Sequence, residues 1–299
     1  MTLQTLSRRV YQEALSTLPF RHRLTTDYFR KHRRRPDLTN PRLHSERLLF
    51  RSLYDTDPIL TSLSSKQRAK EVVLKTYPRL RARIPRTQWT GSPEQLIERL
   101  PSLAQSTDPW VLKPDQLGGG IALLNDAGGS VTQGDLRRLM RESHRTQKLF
   151  RRLAPRALHT LPEVFILEDR IGFHGRPIDY KVHTFRGKPR MFSVYSGRTA
   201  HTFTVQHFDA DWTLLFGRND SGQDLRPENH VREALIDAAS QIHFDLAYTR
   251  VDFYWDGQQL WLGEISPFGH IDGIELYPIL DAAMGDWWTQ STLRNLSRD

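Results

Sequence analysis

The chain has 299 residues, 38% hydrophobic and 26% charged, so it can bury a large core and has the composition of an ordinary globular protein. Its 43 basic and 34 acidic residues give a net charge of +9, which permits binding to nucleic acid, anionic lipid or anionic small molecules. The absence of cysteine excludes a disulfide framework, a thiolate zinc site and a cysteine nucleophile, and it fits a reducing compartment.

No stretch of the sequence has the pattern of a targeting or membrane-spanning segment. The first residues lack the apolar core of a signal peptide, and no window approaches the roughly 18 apolar residues of a membrane span. We therefore expect a cytoplasmic protein.

Much of the positive charge lies in two runs, residues 30–35 and 137–156. Neither run contains a nucleic-acid-binding motif, and neither is interleaved with aromatic residues that could stack on bases. A solvated helix face is the commoner explanation, so nucleic acid is not the expected partner. A basic protein that grips a polyanion through these runs, without catalysis, remains an alternative.

Residues 1–105 have the pattern of a helix-rich lobe with little strand. Apolar residues at helical spacing predict helices over 4–19, 45–54 and 94–100. A further helix begins after the serine pair at 64 and 65, either of which can cap it, and it stops before Pro78.

From residue 106 onward the pattern changes to short apolar strands separated by turns. The predicted elements are strands 109–114, 121–124 and 164–168, a basic helix within 131–156, a hairpin of 180–185 and 189–196, a helix 231–242, a hairpin within 250–266 and a closing helix 278–288. Mixed sheets flanked by helices indicate an α+β fold, which we divide into lobes 1–105, 106–185 and 186–299.

A glycine loop of Gly118, Gly119 and Gly120 follows a strand that carries Lys113. Glycines let backbone N–H groups approach an anion closely, and the lysine could pair with a phosphate. The loop has neither the spacing of a P-loop nor that of a dinucleotide fingerprint. Taken alone, three glycines more often form a flexible surface turn.

A second candidate lies on the strand that begins at Asp179. Strand alternation places Asp179 and Lys181 on the same face, where the carboxylate could accept ribose hydroxyls and the ammonium could reach a phosphate. An exposed edge strand with an ordinary salt bridge is the better local explanation.

The hairpin of residues 250–266 carries the strongest candidate for a metal site. Arg250 and Asp252 share a face, and Glu264 joins them if the loop between the strands has three or five residues. A two-residue turn at Asp256-Gly257 would put Glu264 on the other face. Two carboxylates on one sheet face are costly without a cation, and magnesium prefers such oxygen ligands. A hydrated polar face explains the pattern about equally well.

Histidine and serine residues offer no alternative catalytic centre. The 12 histidines show no compact metal-ligand spacing, and Ser193, Ser196 and Ser266 lie in no nucleophile-elbow context. Hydrolysis by a serine triad is therefore not expected.

The order of these segments resembles the ATP-grasp superfamily, and more closely its TupA-like branch, which is associated with teichuronopeptide biosynthesis. The resemblance covers about residue 28 to residue 288 and is carried by several motifs in order: Pro41-x-x-x-x-Glu46, Asp108-Pro-Trp-Val-Leu-Lys-Pro-Asp-Gln-Leu-Gly-Gly-Gly120, Pro177-Ile-Asp-Tyr-Lys-Val-His-Thr-Phe-Arg-Gly-Lys-Pro189, Phe208-Asp-Ala-Asp-Trp212, Arg250-Val-Asp-Phe-Tyr254 and Gly263-Glu264.

The resemblance implies an ATP-grasp fold with ATP and Mg²⁺ as cofactors and ATP held between two sheets. It implies roles for these residues: Lys113 and Lys181 on the phosphates or adenine, Gly118 to Gly120 closing above them, the Leu167–Ile171 segment with Glu168, Asp169 and Ile171 at adenine, and Asp179 at the ribose. The metal ligands would be Asp252, Glu264 and Ser266, while Arg250 and Lys181 would stabilise the transferred phosphoryl group.

By the same resemblance, the activity would be an ATP-dependent carboxylate–amine ligase that forms an amide through an acyl phosphate. The substrates would be a small carboxylic acid, such as a uronic acid or amino acid, and an amine, in polysaccharide or natural-product biosynthesis. A kinase that stops at a phosphorylated small molecule or sugar is the alternative within the fold.

Two positions depart from the family pattern. Ser266 stands where the superfamily usually has an asparagine metal ligand, and Ser65-Lys66-Gln67 stands where the branch commonly has Asp-Lys-aromatic. The segment Pro267–Gly273 is also distinct, and we expect it to shape the acceptor pocket.

Overall fold

A computed structural model describes residues 11, 14–15, 17–116, 121–125, 131–151, 153–172, 177–197, 203–218, 222–271 and 274–288. The glycine loop and most of the predicted helix 4–19 lie outside these residues. The described helices are α1 (Phe20–His32), α2 (His44–Tyr54), α3 (Pro58–Leu63), α4 (Lys66–Thr76), α5 (Pro93–Ala104), α6 (Gln133–Phe150), α7 (Asn229–Gln241) and α8 (Pro278–Trp287), with 3-10 turns at Arg156–Leu158 and Ile274–Leu276.

Helix ends follow local capping chemistry. The Ser65 hydroxyl accepts the Arg68 N–H at 3.2 Å, which begins α4 at the predicted place. Ser92 and Gln95 form a reciprocal capping box at α5, with Pro93 in its first turn. These caps satisfy N–H groups that have no partner within the helix.

The described strands are β1 (Thr87–Gly91), β2 (Trp110–Pro114), β3 (Ala122–Leu123), β4 (Phe165–Asp169), β5 (Ile178–Phe185), β6 (Lys188–Ser196), β7 (Thr204–Asp209), β8 (Leu214–Arg218), β9 (Thr249–Trp255) and β10 (Leu260–Ser266). They form a four-stranded sheet of order β1-β4-β2-β3 and a six-stranded sheet of order β10-β9-β5-β6-β7-β8. Strands β1, β7 and β8 were not among the predicted strands. Helices combined with antiparallel sheets confirm the α+β class.

The four-stranded sheet has one apolar and one charged face. Leu112, Phe165 and Leu167 belong to a buried apolar cluster with residues of α5 and α6. Alternation therefore turns Lys113 and Glu168 to the other face. The six-stranded sheet is divided in the same way: apolar residues of β5, β9 and β10 alternate with polar ones, and α7 packs on strands β5, β6 and β10.

The β9–β10 hairpin differs from the expected register. Leu260 pairs with Trp255, so the loop has four residues, 256–259, and the expected loop of three or five residues is wrong. In this register alone Glu264 would face away from Asp252. However, the register shifts between Leu262 and Glu264, because Gly263 is an extra residue in β10, and Glu264 pairs with Asp252 after all.

A glycine is required at this β-bulge by close packing. A Cβ atom at position 263 would lie 2.5 Å from Cε2 of Tyr254 and 3.3 Å from the carbonyl oxygen of Asp252. The loop itself is closed by Asp256, whose Oδ1 accepts the N–H groups of Gln258 and Gln259 at 2.9 Å each. Asp252 and Glu264 therefore lie opposite each other as the sequence suggested, but a β-bulge and not an odd-numbered loop brings them together.

The chain divides into two compact units. The first comprises Met1–Pro58, His144–Leu161 and His270–Asp299; the second comprises Ile59–Ser143 and Pro162–Gly269 and contains both sheets. These limits differ from those of the three expected lobes, and β1 lies within the lobe expected to have little strand. The three-lobe division stays a prediction.

The first unit is held together by buried carboxylates. Asp281 on α8 accepts the N–H and hydroxyl of Ser45 at 2.8 and 2.7 Å and also binds Arg34 at 2.6 Å. Glu46, the last residue of the first family motif, accepts backbone N–H groups of Asp37, Arg42 and Leu43. This motif therefore stabilises the loop before α2.

Among the described residues, no helix has both the length and the apolar composition needed to cross a membrane.

Candidate functional site

A row of polar residues crosses the six-stranded sheet on its polar face. Lys181 on β5 pairs with Asp252 on β9, which pairs with Glu264 on β10. The row continues on the other side of Lys181 with Ser193 on β6 and His207 on β7. Three adjacent strands thus bring together the predicted lysine and both predicted metal carboxylates.

Asp252 is the centre of this row. Its Oδ1 accepts Arg250 Nε at 2.6 Å, and its Oδ2 accepts Arg250 Nη2 and Lys181 Nζ at 2.8 Å each. Burial alone would raise the pKa of Asp252, but the two cations outweigh burial and hold the pKa below its usual value. Asp252 is therefore an ionised carboxylate held in a fixed orientation.

Arg250 is equally constrained. Burial opposes its charge, yet the pairing with Asp252 raises the pKa of the guanidinium above its ordinary value, so it stays charged. The two planar hydrogen bonds fix the direction of the guanidinium more firmly than a single contact would.

Lys181 joins two carboxylates. Its Nζ lies 3.2 Å from Asp179 and 2.8 Å from Asp252, and both acids are buried. The predicted Asp179–Lys181 pair therefore forms, and it is part of a larger charge network. An exposed edge strand is excluded as its explanation, because β5 lies between β9 and β6.

Glu264 differs from Asp252 in exposure. Its side chain is 39% exposed, and its Oε2 lies 3.8 Å from Lys66 Nζ. Ser266, two residues later, pairs across the hairpin with Arg250. An accessible carboxylate beside a buried one, with a hydroxyl nearby, is a set of hard oxygen donors.

This donor set fits Mg²⁺. Magnesium usually takes one or two protein carboxylates and completes its shell with water and phosphate oxygens. Within the described part of the chain, no three acidic or histidine side chains cluster as an all-protein metal cage. The arrangement of Asp252 and Glu264 thus matches a metal that arrives with a phosphate ligand.

A second charge cluster lies on the four-stranded sheet. Glu168 is buried and binds both Lys70 and Lys113, the latter at 2.5 Å. Burial alone would raise the pKa of Glu168, but the charges of Lys113 and Lys70 hold it below its usual value. Burial lowers the pKa of Lys70, and Lys113 adds to this effect while Glu168 opposes it. Two ammonium groups thus share the Glu168 carboxylate.

Helix α4 borders both charged faces. Lys66 reaches Glu264 of the six-stranded sheet, and Lys70, one turn later on the same helix face, reaches Glu168 of the four-stranded sheet. Asp115, two residues after Lys113, accepts the N–H of Gln67 at 2.8 Å through its side chain. The helix therefore anchors the segment that leads into the glycine loop.

The remaining predicted positions are only partly placed. Asp169 ends β4 and accepts a hydrogen bond from Gln88 at 2.5 Å. The backbone N–H groups of Asp169 and Arg170 already donate to the carbonyls of Arg86 and Pro109 at 3.0 and 2.9 Å. Ile171 follows this strand. Gly118, Gly119 and Gly120 lie outside the described residues.

Sequence reasoning missed Lys66 and Lys70 as site residues. Their spacing of four on a helix capped by Ser65 was a usable signal, because it places both ammonium groups on one helix face. The residues they bind lie far along the chain, and local patterns contain no information on that.

Comparison with known proteins gives a sequence match to one family. The model of the TupA-like ATPgrasp family matches residues 46–286. No curated protein sequence matches the chain.

The three solved structures described next are distant from this chain in sequence. D-Alanine-D-alanine ligase from Helicobacter pylori has 13% identity and a TM-score of 0.41, and the match covers 75% of this chain and 61% of the ligase chain. The macrocyclase MdnC from Microcystis aeruginosa MRC, bound with precursor peptide MdnA, has 18% identity and a TM-score of 0.40, with 79% and 63% covered. D-Alanyl-alanine synthetase A from Vibrio cholerae has 11% identity and a TM-score of 0.46, with 81% and 67% covered. The chain thus spans less than two thirds of the first two proteins.

Proposed function

The chain belongs to the TupA-like ATP-grasp family, an ATP- and Mg²⁺-using family, and on that premise we propose that it is a ligase that joins a carboxylic acid to an amine. The observation that carries the proposal is the pair of charged sheet faces within one compact unit. Lys70, Lys113 and Glu168 occupy one face, Lys181, Asp252 and Glu264 occupy the other, and α4 contacts both.

The proposed nucleotide contacts follow the distribution of positive charge. Lys113 and Lys181 bind phosphate oxygens, and Asp179 accepts hydroxyl hydrogens of the ribose. The backbone near Ile171 forms hydrogen bonds with the adenine. The backbone N–H groups of Asp169 and Arg170 are not the donors, because both already donate to carbonyls within the protein. Gly118, Gly119 and Gly120 close over the phosphates.

Asp252, Glu264 and Ser266 would hold the magnesium ion. When bound, the metal neutralises charge on the phosphates and orients the terminal one for transfer. Asp252 keeps Arg250 oriented through its two hydrogen bonds, so that the guanidinium can bind the phosphoryl oxygens during transfer.

The proposed reaction has two displacement steps. A carboxylate oxygen of the acid attacks the terminal phosphorus and ADP leaves, which forms an acyl phosphate. The amine nitrogen then attacks the acyl carbon, inorganic phosphate leaves and the nitrogen loses a proton, which yields the amide. The protein contributes mainly position and charge, as in phosphoryl transfer generally. We propose a uronic acid or an amino acid as the acid substrate. The proposed location is the cytoplasm, where ATP is available.

Two measurements test the proposal. Calorimetric titration should show ATP binding that depends on Mg²⁺, and Asp252→Asn should lose most of it. The control Asp211→Asn, an exposed residue in the turn between β7 and β8, should bind normally. A screen of acid and amine pairs should then show ADP release together with an amide product. Phosphate ester without amide would identify a kinase. Binding to a polyanion that does not depend on ATP and weakens steeply with salt would instead identify a polyanion-binding protein.

A further inference from the structure

A chain of buried polar groups runs along the polar face of the six-stranded sheet toward Arg250. His207 Nδ1 lies 2.8 Å from Ser193 Oγ, which lies 3.3 Å from His183 Nε2. His183 Nδ1 lies 2.9 Å from the hydroxyl of Tyr248, and this hydroxyl lies 2.9 Å from the carbonyl oxygen of Gly269. All four side chains are at most 1% exposed.

The direction of these hydrogen bonds can be assigned from the Gly269 end. A carbonyl can only accept, so the Tyr248 hydroxyl donates its proton to Gly269. The tyrosine oxygen then accepts from His183 Nδ1–H. In a neutral imidazole the other nitrogen is an acceptor, which receives the Ser193 hydroxyl proton, and Ser193 accepts from His207. Every bond thus supports the orientation of the next, and the series ends at Gly269.

Gly269 lies directly against Arg250. A Cβ atom at position 269 would lie 2.7 Å from Arg250 Cβ and 2.9 Å from its Cδ, so the glycine backbone packs on the arginine stem. Gly269 also closes a turn, because its N–H donates to the carbonyl of Ser266 at 3.3 Å. The turn that Tyr248 holds therefore begins at a proposed metal ligand and confines the proposed phosphoryl-binding arginine.

We propose that Tyr248 is a positioning residue for Arg250. Its hydroxyl holds the Ser266–Gly269 turn against the arginine stem, so that the guanidinium has a fixed direction from two sides: Asp252 at its head and the turn along its stem. The inference rests on the proposed function, because it concerns the reaction that Arg250 serves.

The role of Tyr248 follows because the charge of Arg250 and the orientation of its side chain depend on different contacts. The ion pair with Asp252 keeps Arg250 charged, but the stem could still swing if the turn moved away. Without the hydroxyl, the buried Gly269 carbonyl would lack this donor, and the turn would shift toward other donors. A small displacement of a group that binds the transferred phosphoryl reduces the rate more than it reduces nucleotide binding.

The test compares Tyr248→Phe with Tyr180→Phe, a buried tyrosine of β5 on the opposite, apolar sheet face. For each purified full-length variant, Mg²⁺-dependent ATP binding, ADP release and the thermal midpoint are measured. ADP release is followed with the acid and amine pair that is most active with the wild type, or without acceptors if none is active. For Tyr248→Phe we expect a kcat about 10-fold lower with a KM for ATP within about twofold, and for Tyr180→Phe both values unchanged.

A double-mutant cycle with Arg250→Lys separates positioning from general destabilisation. If Tyr248 acts through Arg250, Tyr248→Phe should lower kcat by less than about twofold in the Arg250→Lys background. A full 10-fold loss in that background would overturn the inference, because the hydroxyl would then act independently of the arginine.

A second variant, at Gly269, changes the packing of the turn on Arg250 directly. Gly269→Ala keeps the hydrogen bond but places a methyl group on the Arg250 stem, so its kcat should fall at least as much as in Tyr248→Phe. The matched control is Gly134→Ala, whose methyl group would find its nearest neighbour at 3.5 Å. Wild-type turnover in both Tyr248→Phe and Gly269→Ala would overturn the positioning role alone. A wild-type protein without Mg²⁺-dependent ATP binding would overturn the proposed function and, with it, the inference.

Discussion

Replacing Glu168 by glutamine should destabilise the protein strongly and in a pH-dependent manner. The carboxylate lies between Lys70 and Lys113, whose side chains are only 9% and 17% exposed. Glutamine has the same shape but no charge, and its amide nitrogen would face an ammonium group. Removing one partner of a buried ion pair typically costs about 3–5 kcal/mol, and we expect that range at pH 7.

The pH dependence follows from Lys70. Its pKa is already lowered by burial, and Glu168→Gln removes the neighbour that most opposes this shift, so the pKa of Lys70 should be lower still in the folded variant. Relative to an unfolded pKa of about 10.4, neutralising a lysine costs about 4.6 kcal/mol at pH 7 and about 1.9 kcal/mol at pH 9. The unfolded variant then binds more protons than the folded one, so its stability should rise with pH, by at most roughly 2.7 kcal/mol over this interval.

Urea unfolding of the wild type and Glu168→Gln at pH 7 and pH 9 measures these values. Glu98→Gln on the exposed face of α5 is the matched control and should change stability by less than about 0.5 kcal/mol at either pH. A loss below about 1 kcal/mol at pH 7, or an equal loss at both pH values, would refute the account of two ammonium groups sharing one buried carboxylate.

Other predictions concern the β-bulge at Gly263, unfolding at low pH and the N-cap of α4. Gly263→Ala should lower stability by about 1–3 kcal/mol, since its Cβ would lie 2.5 Å from the Tyr254 ring; wild-type urea unfolding would contradict the packing argument. Deleting Gly263 removes the extra residue and leaves Glu264 opposite Asp252, so Mg²⁺-dependent ATP binding should persist, whereas inserting a second residue there should abolish it. Because the folded pKa values of Asp252 and Glu168 are lowered, their stabilisation is present above pH of about 4 and is lost as pH falls through the folded values. Acid unfolding should accordingly be shallower in Asp252→Asn, and an unchanged slope would exclude this carboxylate as a cause. Ser65→Ala should cost about 1 kcal/mol through loss of the α4 cap, and Ser65→Thr, which keeps the capping hydroxyl, should lose less in the same unfolding assay.

Local patterns were sufficient to predict most of the elements that carry the site. Alternation placed Asp179 with Lys181 and Arg250 with Asp252, and the structure brings both pairs together around Lys181. The serine cap placed the start of α4 correctly. Such predictions succeed because strand alternation and helix capping depend on neighbours within a few residues. The functional roles of these residues stay predictions.

Long-range pairing was not accessible in this way. Strand β1 joins the four-stranded sheet only because β4, almost 80 residues later, offers it an edge. Lys70 and Glu168 meet across 98 positions of sequence, and no periodicity of either segment indicates their contact.

The sequence by itself determined which residues could form a charged site and on which elements they lie. The tertiary structure alone decided that Glu264 faces Asp252, because the four-residue loop would have turned it away and the bulge at Gly263 turns it back. The number of residues between two strands does not determine their register when an extra residue can enter one of them. Only the paired backbones reveal that residue, since a bulge is a property of two strands and not of one.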